Sequence, residues 1–452
     1  MSLAAPVAPL AAHPLLIFLL ALVVLLALAR LLGKLAERFG LPAITGELLT
    51  GVLLGPSLLG HLAPGFTAWL LPSEPSQMHL LDAVGQLGVL LLVGVTGTYL
   101  DPRVLRRQGK AAALVSLCGL IVPLGLGIAL GLLLPSSVTA GEKASPLVFA
   151  LFLGVAMCVT AIPVIAKTLS DMRLLHRDIG QLTLAAGMID DAVGWLLLSV
   201  VAAAATIGIS AGGITLSVLY LIGFVVFAGT IGRPLVRKVM NAAARSSAPG
   251  PAVATAVIIV LTGAVITHAL GMEAIFGAFV AGLLVAGSPE AQVKLASLRT
   301  IVLSVLAPIF LASAGLRMDL TALGDPSVAI TAAAVLAVAI LGKFGGAYLG
   351  ARLGKLSRRE GLALGAGMNA RGVVEVIIAL TGLRLGVLNT ATYTIIVLVA
   401  IVTSLMAPPL LRFAMNGVEY SEEEHLRRID HERWQGKRAE DPESGYERPA
   451  AA

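Results

Sequence analysis

Long apolar runs separated by short basic clusters occupy the chain from about residue 14 to residue 414. A run of about 20 apolar residues is long enough to cross a bilayer as a helix. Scanning for such runs gives thirteen candidate spans, near 14–33, 42–59, 81–100, 110–134, 147–168, 179–206, 212–238, 252–270, 273–287, 296–316, 328–352, 360–383 and 391–414. No basic residue precedes the first run and it exceeds a typical signal-peptide core, so it reads as a retained helix. The boundary around Gly271-Met272-Glu273 decides the count, because losing it would put both termini on one side. The pattern predicts an all-α polytopic membrane protein, with a transmembrane domain over 1–415 and a short charged tail over 416–452.

Charge tests the count independently. With the amino terminus outside, twenty basic residues fall in inside loops, among them Arg30, Lys34, Arg38, Lys167, Arg177 and Arg352, whereas only Lys143, Arg317 and Arg384 fall outside. That bias supports alternating spans with a cytoplasmic carboxyl terminus. The tail mixes Glu422, Glu423, Glu424, Arg427, Arg428 and Asp430. It reads as solvated, and it is too short for a nucleotide-binding regulatory domain with its own core.

Composition agrees. The hydrophobic fraction is 57% and the charged fraction 13%, against roughly 45–50% and about 25% in soluble domains. The net charge of +6 comes from residues scattered through short loops, which argues against nucleic-acid binding. Cys118 and Cys158 both lie in apolar runs and make no disulfide or zinc pattern.

Against this background Met188-Ile189-Asp190-Asp191 is the most informative segment, two adjacent carboxylates inside an apolar run. Each costs about 2.5–3.5 kcal/mol at mid-bilayer, which points to cation or proton binding. Consecutive helical residues point about 100° apart, so one carboxylate can face a basic partner while the other faces a water-filled path. Only Lys343 and Arg371 are bases well inside spans. Glu375 lies four residues after Arg371, a spacing that lets the two meet as a structural or gating pair. Glu47 in the second span is another possible partner for Arg371. Lys343 has no acid within a turn, so the aspartate pair is its candidate partner; the alternative is snorkelling to an interface.

Two spans look interrupted. The fifth contains Val159-Thr160-Ala161-Ile162-Pro163 and the twelfth Gly365 to Gly372, including Asn369. Proline removes a backbone donor and disfavours helix before it. The breaks fall fifth in each of two sets of six spans around the seventh, which acts as a linker helix. Seven helices of separation inverts the second set. This predicts two inverted six-helix repeats with crossed discontinuous helices 5 and 12, whose dipoles and freed carbonyls hold ions. Thr160 can either ligate a dehydrated cation or satisfy its own preceding carbonyl. Ser304 reads as helix packing, and His268 as either a pH sensor or an interfacial structural residue.

Gly46-Glu47 followed by Gly51-Val52-Leu53-Leu54-Gly55-Pro56-Ser57, Thr160-Ala161-Ile162-Pro163-Val164-Ile165, Ile189-Asp190-Asp191, Pro308-Ile309-Phe310 through Gly315-Leu316, Lys343 and Met368-Asn369-Ala370-Arg371-Gly372 together resemble the second cation:proton antiporter family, the sodium/proton exchanger and Kef-type group, over about residues 14–415. The resemblance implies a homodimer in which a mobile core holding helices 5 and 12 moves against a dimerisation domain. It implies that Asp191 is the ion- and proton-binding carboxylate, that Asp190 is the preceding variable position, and that Lys343 pairs with Asp190 and releases or captures a proton as Asp190 changes partners. It also implies an exchange of a monovalent cation, Na⁺ ahead of K⁺, for protons by alternating access, electrogenic because of the Asp-Asp pair and with no cofactor; the hydrophobic, Ala- and Gly-rich composition points to a bacterial inner membrane. The chain departs from the family pattern at Ala370, where proline is common, at Val373, where an acid is common, and at Leu92–Thr98, which lacks the usual Gly-Leu-Glu.

Rival readings keep parts of this picture. K⁺/H⁺ exchange or efflux, or export of an organic or complexed cation, would use the same fold. A passive channel would need no titrating Asp–Lys partnership. An intramembrane aspartyl protease needs aspartates from separate helices, whereas Asp190 and Asp191 are adjacent.

Overall fold

The structure is a computed structural model that describes residues 11–71, 75–98, 102–135, 141, 145–175, 177–207, 211–416, 418 and 424. Apart from Asn416, Val418 and Glu424, the expected tail lies outside the described residues. The principal helices are α1 (Ala12–Arg38), α2 (Ala43–Leu54), α3 (Pro75–Thr98), α4 (Pro102–Leu133), α5 (Pro146–Cys158), α6 (Ile162–Asp171), α7 (Asp178–Ile207), α8 (Ala211–Phe227), α9 (Arg233–Ala244), α10 (Gly250–Ala269), α11 (Ala274–Val285), α12 (Ala307–Gly315), α13 (Pro326–Leu353), α14 (Arg358–Met368), α15 (Val373–Arg384) and α16 (Thr390–Met415). Among the described residues there is no strand.

Every one of the thirteen expected spans lies on helix, but not every one is a full span. Among the described residues ten helices are long and apolar enough to cross a bilayer, or eleven when α14 and α15 are taken as one span bent by 46°. The fifth expected span is two pieces, α5 and α6, of 13 and 10 residues, and the ninth is the 12-residue α11. At 1.5 Å per residue, neither α5 nor α11 reaches across about 30 Å of hydrocarbon alone.

Local chemistry sets the helix starts. Ser145 caps α5 by accepting from Val148 N, Asp325 caps α13 through Ser327 N, Ser357 and Glu360 form a capping box on α14, and Asn389 caps α16 through Thr392 N. Each supplies an acceptor for an amide that has no intrahelical partner. The exposed Asp325 carboxyl, which accepts from both the Ser327 hydroxyl and its amide, is held below the usual carboxylate range by those hydrogen bonds.

The helices pack in two groups. One combines α4 to α7 with α13 to α16; the other combines α1, α2 and α3 with α9 to α12. They meet where α7 touches α11, α12 touches α15, and α2 touches α16. Within the first group α4 and α13 lie unusually close. A Cβ at Gly346 would sit 2.5 Å from the Cys118 carbonyl oxygen, and one at Gly350 would collide with the backbone at Leu114. Small residues let membrane helices approach in this way, and here the approach carries Lys343, one turn before Gly346, up against α4.

Candidate functional site

The two breaks meet in the first group. Residues 159–161 part α5 from α6 and residues 369–372 part α14 from α15, and Ala161 N donates to Ala370 O at 3.2 Å across them. Pro163 is the second residue of α6, where the missing N–H costs no intrahelical bond. The second break has no proline. Tertiary bonds hold it instead: Ser404 of α16 donates to the Arg371 carbonyl, Gly372 N donates to Glu375 Oε2 at 2.8 Å, and Thr160 Oγ1 reaches Met368 O at 3.3 Å. Neighbouring chain therefore does at Ala370 what proline does elsewhere.

α7 runs past this crossing and presents the aspartates, both without solvent exposure. Asp190 is saturated. Its Oδ1 accepts from Ser116 Oγ at 2.5 Å, and its Oδ2 accepts from Thr160 Oγ1 at 2.9 Å and from Lys343 Nζ at 2.6 Å. Lys343 is equally committed, donating also to Gly119 O at 3.0 Å and to Cys158 O, which uses all three of its protons. Lys343 is fully buried, so it does not snorkel.

Asp191 is the opposite case. Neither of its carboxylate oxygens has a hydrogen-bond partner among the described residues. The expected water-filled path is not open to it, because the residue is sealed from solvent. A buried carboxylate with no donor is expensive, and such a group is where a proton or a desolvated cation gains most by binding.

Arg371 reaches the same helix end as Lys343. Its Nη2 donates to Met157 O at 2.5 Å and to Ala339 O at 2.9 Å, and its Nε is 4.0 Å from Glu375 Oε1. The carbonyls freed at the end of α5 thus hold two of the protein's own cations. Both cations lie at the negative end of the α5 dipole, where positive charge is favoured.

The remaining expected residues are scattered. Glu47 belongs to the other packing group, beside Gly33 of α1, and Arg371 takes its carboxylate neighbour from Glu375. Asn369 is fully buried with both amide atoms unpartnered among the described residues. Ser304 is half-buried in a π-helical turn, Val302–Leu306, and His268 is exposed in the last turn of α10. Thr160 does not bond its own preceding carbonyl; its hydroxyl crosses to Asp190 and Met368.

Two contributors carry no sequence signal of their own. Ser116 is one hydroxyl in an apolar run. Glu424 belongs to the segment read as solvated, yet it is buried, accepts from Asp178 N at 2.6 Å and lies 3.0 Å from Arg177 Nε. Glu424 therefore caps the first turn of α7, the helix that carries the aspartates.

Residues 15–417 match the family described as sodium/hydrogen exchanger, transmembrane. The chain is 35% identical over 402 residues to the Na(+)/H(+) antiporter NhaS4 of Synechocystis, covering 88% of this chain and 97% of that one. It is 32% identical to cation/H(+) antiporter 17 of Arabidopsis thaliana and 30% identical to K(+)/H(+) antiporter 1 of Saccharomyces cerevisiae, covering 88% of this chain in each case. It spans about half the length of these two, 48% and 46%. The fold is similar to that of the sodium proton antiporter MjNhaP1 from Methanocaldococcus jannaschii, with a TM-score of 0.66 at 18% identity over 89% of this chain and 98% of that one. The chain belongs to the sodium/hydrogen exchanger family, whose members matched here are cation/proton antiporters, and it is a multi-pass membrane protein of that transporter class.

Proposed function

We propose that this protein exchanges Na⁺ for protons at Asp191 by alternating access, moving more protons than cations. The observation that carries the reading is the asymmetry of the aspartates, one saturated by three donors and the other buried with none. Lys343 is the coupling base: with the Ser116 and Thr160 hydroxyls it occupies Asp190, which leaves Asp191 as the carboxylate free to exchange. A proton and a dehydrated cation neutralise Asp191 equally well, so they compete for it. The adjacent negative charge of Asp190 favours having one or the other bound at all times, which is the condition for coupled exchange rather than leak. Thr160 retains lone pairs that can face a cation, and Arg371, Glu375, Asn369, Gly372 and Pro163 shape the crossing.

Na⁺ as cargo is supported by the sodium antiporter relatives, of which NhaS4 is covered almost end to end. The yeast K(+)/H(+) relative makes K⁺ the rival. The basic bias of one set of loops supports a cytoplasmic carboxyl terminus in a bacterial inner membrane. We further propose that the first packing group moves against the second within a homodimer. Cation-driven proton flux into proteoliposomes, compared for Na⁺, K⁺ and Li⁺, tests the reading. Saturable proton movement at the lowest concentration of Na⁺ is expected; cation flux with no proton countermovement would replace it with the channel reading.

A further inference from the structure

Among the described residues, the acids and bases with no solvent exposure at all are Asp190, Asp191, Glu375, Lys343 and Arg371. Four of them, all but Asp191, form two ion pairs of unlike construction. Lys343 has committed all three of its donors, to Asp190, Gly119 and Cys158, and both oxygens of Asp190 are engaged, by Ser116, Thr160 and Lys343. Arg371 and Glu375 stand 4.0 Å apart, Nε to Oε1, and neither of those atoms has a hydrogen-bond partner among the described residues. The Arg371 guanidinium leans on the Met157 and Ala339 carbonyls and on the negative end of α5, so it keeps its partners whether or not Glu375 is charged. Glu375 Oε2 accepts from Gly372 N, which leaves Oε1 as the open atom.

We propose that Glu375 is a second exchangeable proton site, so that a cycle carries one proton on Asp191 and one on Glu375 Oε1 while the Asp190–Lys343 pair stays closed. This deepens the exchange reading and rests on it. With a cation on Asp191 and Glu375 ionised, the three acids are balanced by Lys343, Arg371 and the cation. With protons on Asp191 and Glu375, one positive charge is in excess. The two loaded states differ by one charge, which makes the exchange sensitive to voltage without deprotonating Lys343. Each proton arrives from water on the side to which the core is open, binds a carboxylate oxygen and leaves to water on the other side; no other group changes protonation.

The ionisable groups around Glu375 are Arg371 on its own broken span, Lys343 of α13, Asp191 of α7 and the neutral Cys158 thiol at the end of α5. α16 brings the Tyr393 hydroxyl, which donates to Ala314 O, and Ser404, which donates to Arg371 O; α12 brings no ionisable side chain. Glu375 therefore couples to the exchange site through Asp191 and Lys343, and its loss should alter stoichiometry before it alters the site itself.

The test is the equilibrium cation gradient in proteoliposomes at imposed membrane potentials, for the native chain, Glu375→Gln and Glu375→Asp. In the native protein the gradient should shift about tenfold per 60 mV, as one net charge requires. In Glu375→Gln coupled exchange should persist with no voltage shift, one proton now moving per cation, and Glu375→Asp should restore the shift. A native voltage shift retained in Glu375→Gln overturns the proposal, as does a native exchange indifferent to voltage, or a folded Gln variant with no coupled flux. If Glu375→Gln does not elute as folded protein, Glu375→Asp decides: its coupling ratio should change at a different pH from the native one, and an identical pH profile overturns the proposal. Absence of any cation–proton coupling in the native chain strikes the exchange reading itself.

Discussion

Lys343 and Arg371 end on consecutive carbonyls, Cys158 and Met157, at the last turn of one short helix. Two cations from different spans thus share the negative end of α5, and each faces its own acid, Asp190 or Glu375. The arrangement places fixed positive charge where a transported cation would otherwise settle, and leaves Asp191 as the uncommitted site.

Removing one partner of the fully buried Asp190–Lys343 pair exposes the other as an uncompensated charge. Lys343→Met should destabilise the protein by about 3–5 kcal/mol. Asp190→Asn in the same chain should recover part of that loss, because the two residues are in contact. Thermal unfolding in detergent of the two single variants and the double variant measures the coupling; strict additivity would contradict the pairing.

Ser116 donates to Asp190 Oδ1 from α4. A hydrogen bond to an ionised group contributes about 1.5–3 kcal/mol, so Ser116→Ala should lower stability by that order, while Ser116→Thr, which keeps the hydroxyl, should lose less. Chemical denaturation of the pair of variants gives the comparison.

Gly346 sits one turn after Lys343, and an added Cβ would lie 2.5 Å from the Cys118 carbonyl oxygen. Gly346→Ala must push α13 from α4, at a cost of about 1–3 kcal/mol typical of overpacking. Because the same contact brings Lys343 to Gly119 O, the variant should also lose transport rate in proteoliposomes. Gly345→Ala, on a face with open space, should leave both nearly unchanged.

Glu424 caps α7 from the tail through Asp178 N and pairs with Arg177. Glu424→Gln should speed hydrogen exchange in the first turn of α7, at Asp178 and its neighbours, with little change at Asp190. Loss of a cap is worth about 1 kcal/mol, or roughly a fivefold faster exchange there. An unchanged exchange map would show that the contact carries no load in solution.

The chain announces some of this and conceals the rest for physical reasons. An aspartate pair in an apolar run is costly enough to stand out, as are Lys343 and Arg371, and their spacing and isolation narrow the possible partners. Pro163 marks the first break. The second break is less visible because Ser404, Thr160 and Ala161 hold it from other parts of the chain. Ser116 and the carbonyls of Met157, Cys158 and Gly119 leave no trace in an apolar pattern, since a lone hydroxyl or a backbone oxygen does not change hydropathy. Length and hydropathy part company at α5 and α11, which are apolar but, at 13 and 12 residues, too short to cross alone. Glu424 was hidden by its setting, because a mixed-charge tail reads as solvated until one of its carboxylates finds a helix end.

The central claim is that Asp191, and not its saturated neighbour, binds proton and cation in competition. The direct measurement is proton release on adding Na⁺ to the purified protein, in native form and as Asp191→Asn, followed by coupled flux after reconstitution. Native protein should release protons saturably, with more Na⁺ needed for half-maximal release as pH falls; Asp191→Asn should release none and show no coupled flux while remaining folded. Cation-driven proton release that survives in Asp191→Asn at native affinity would contradict the account.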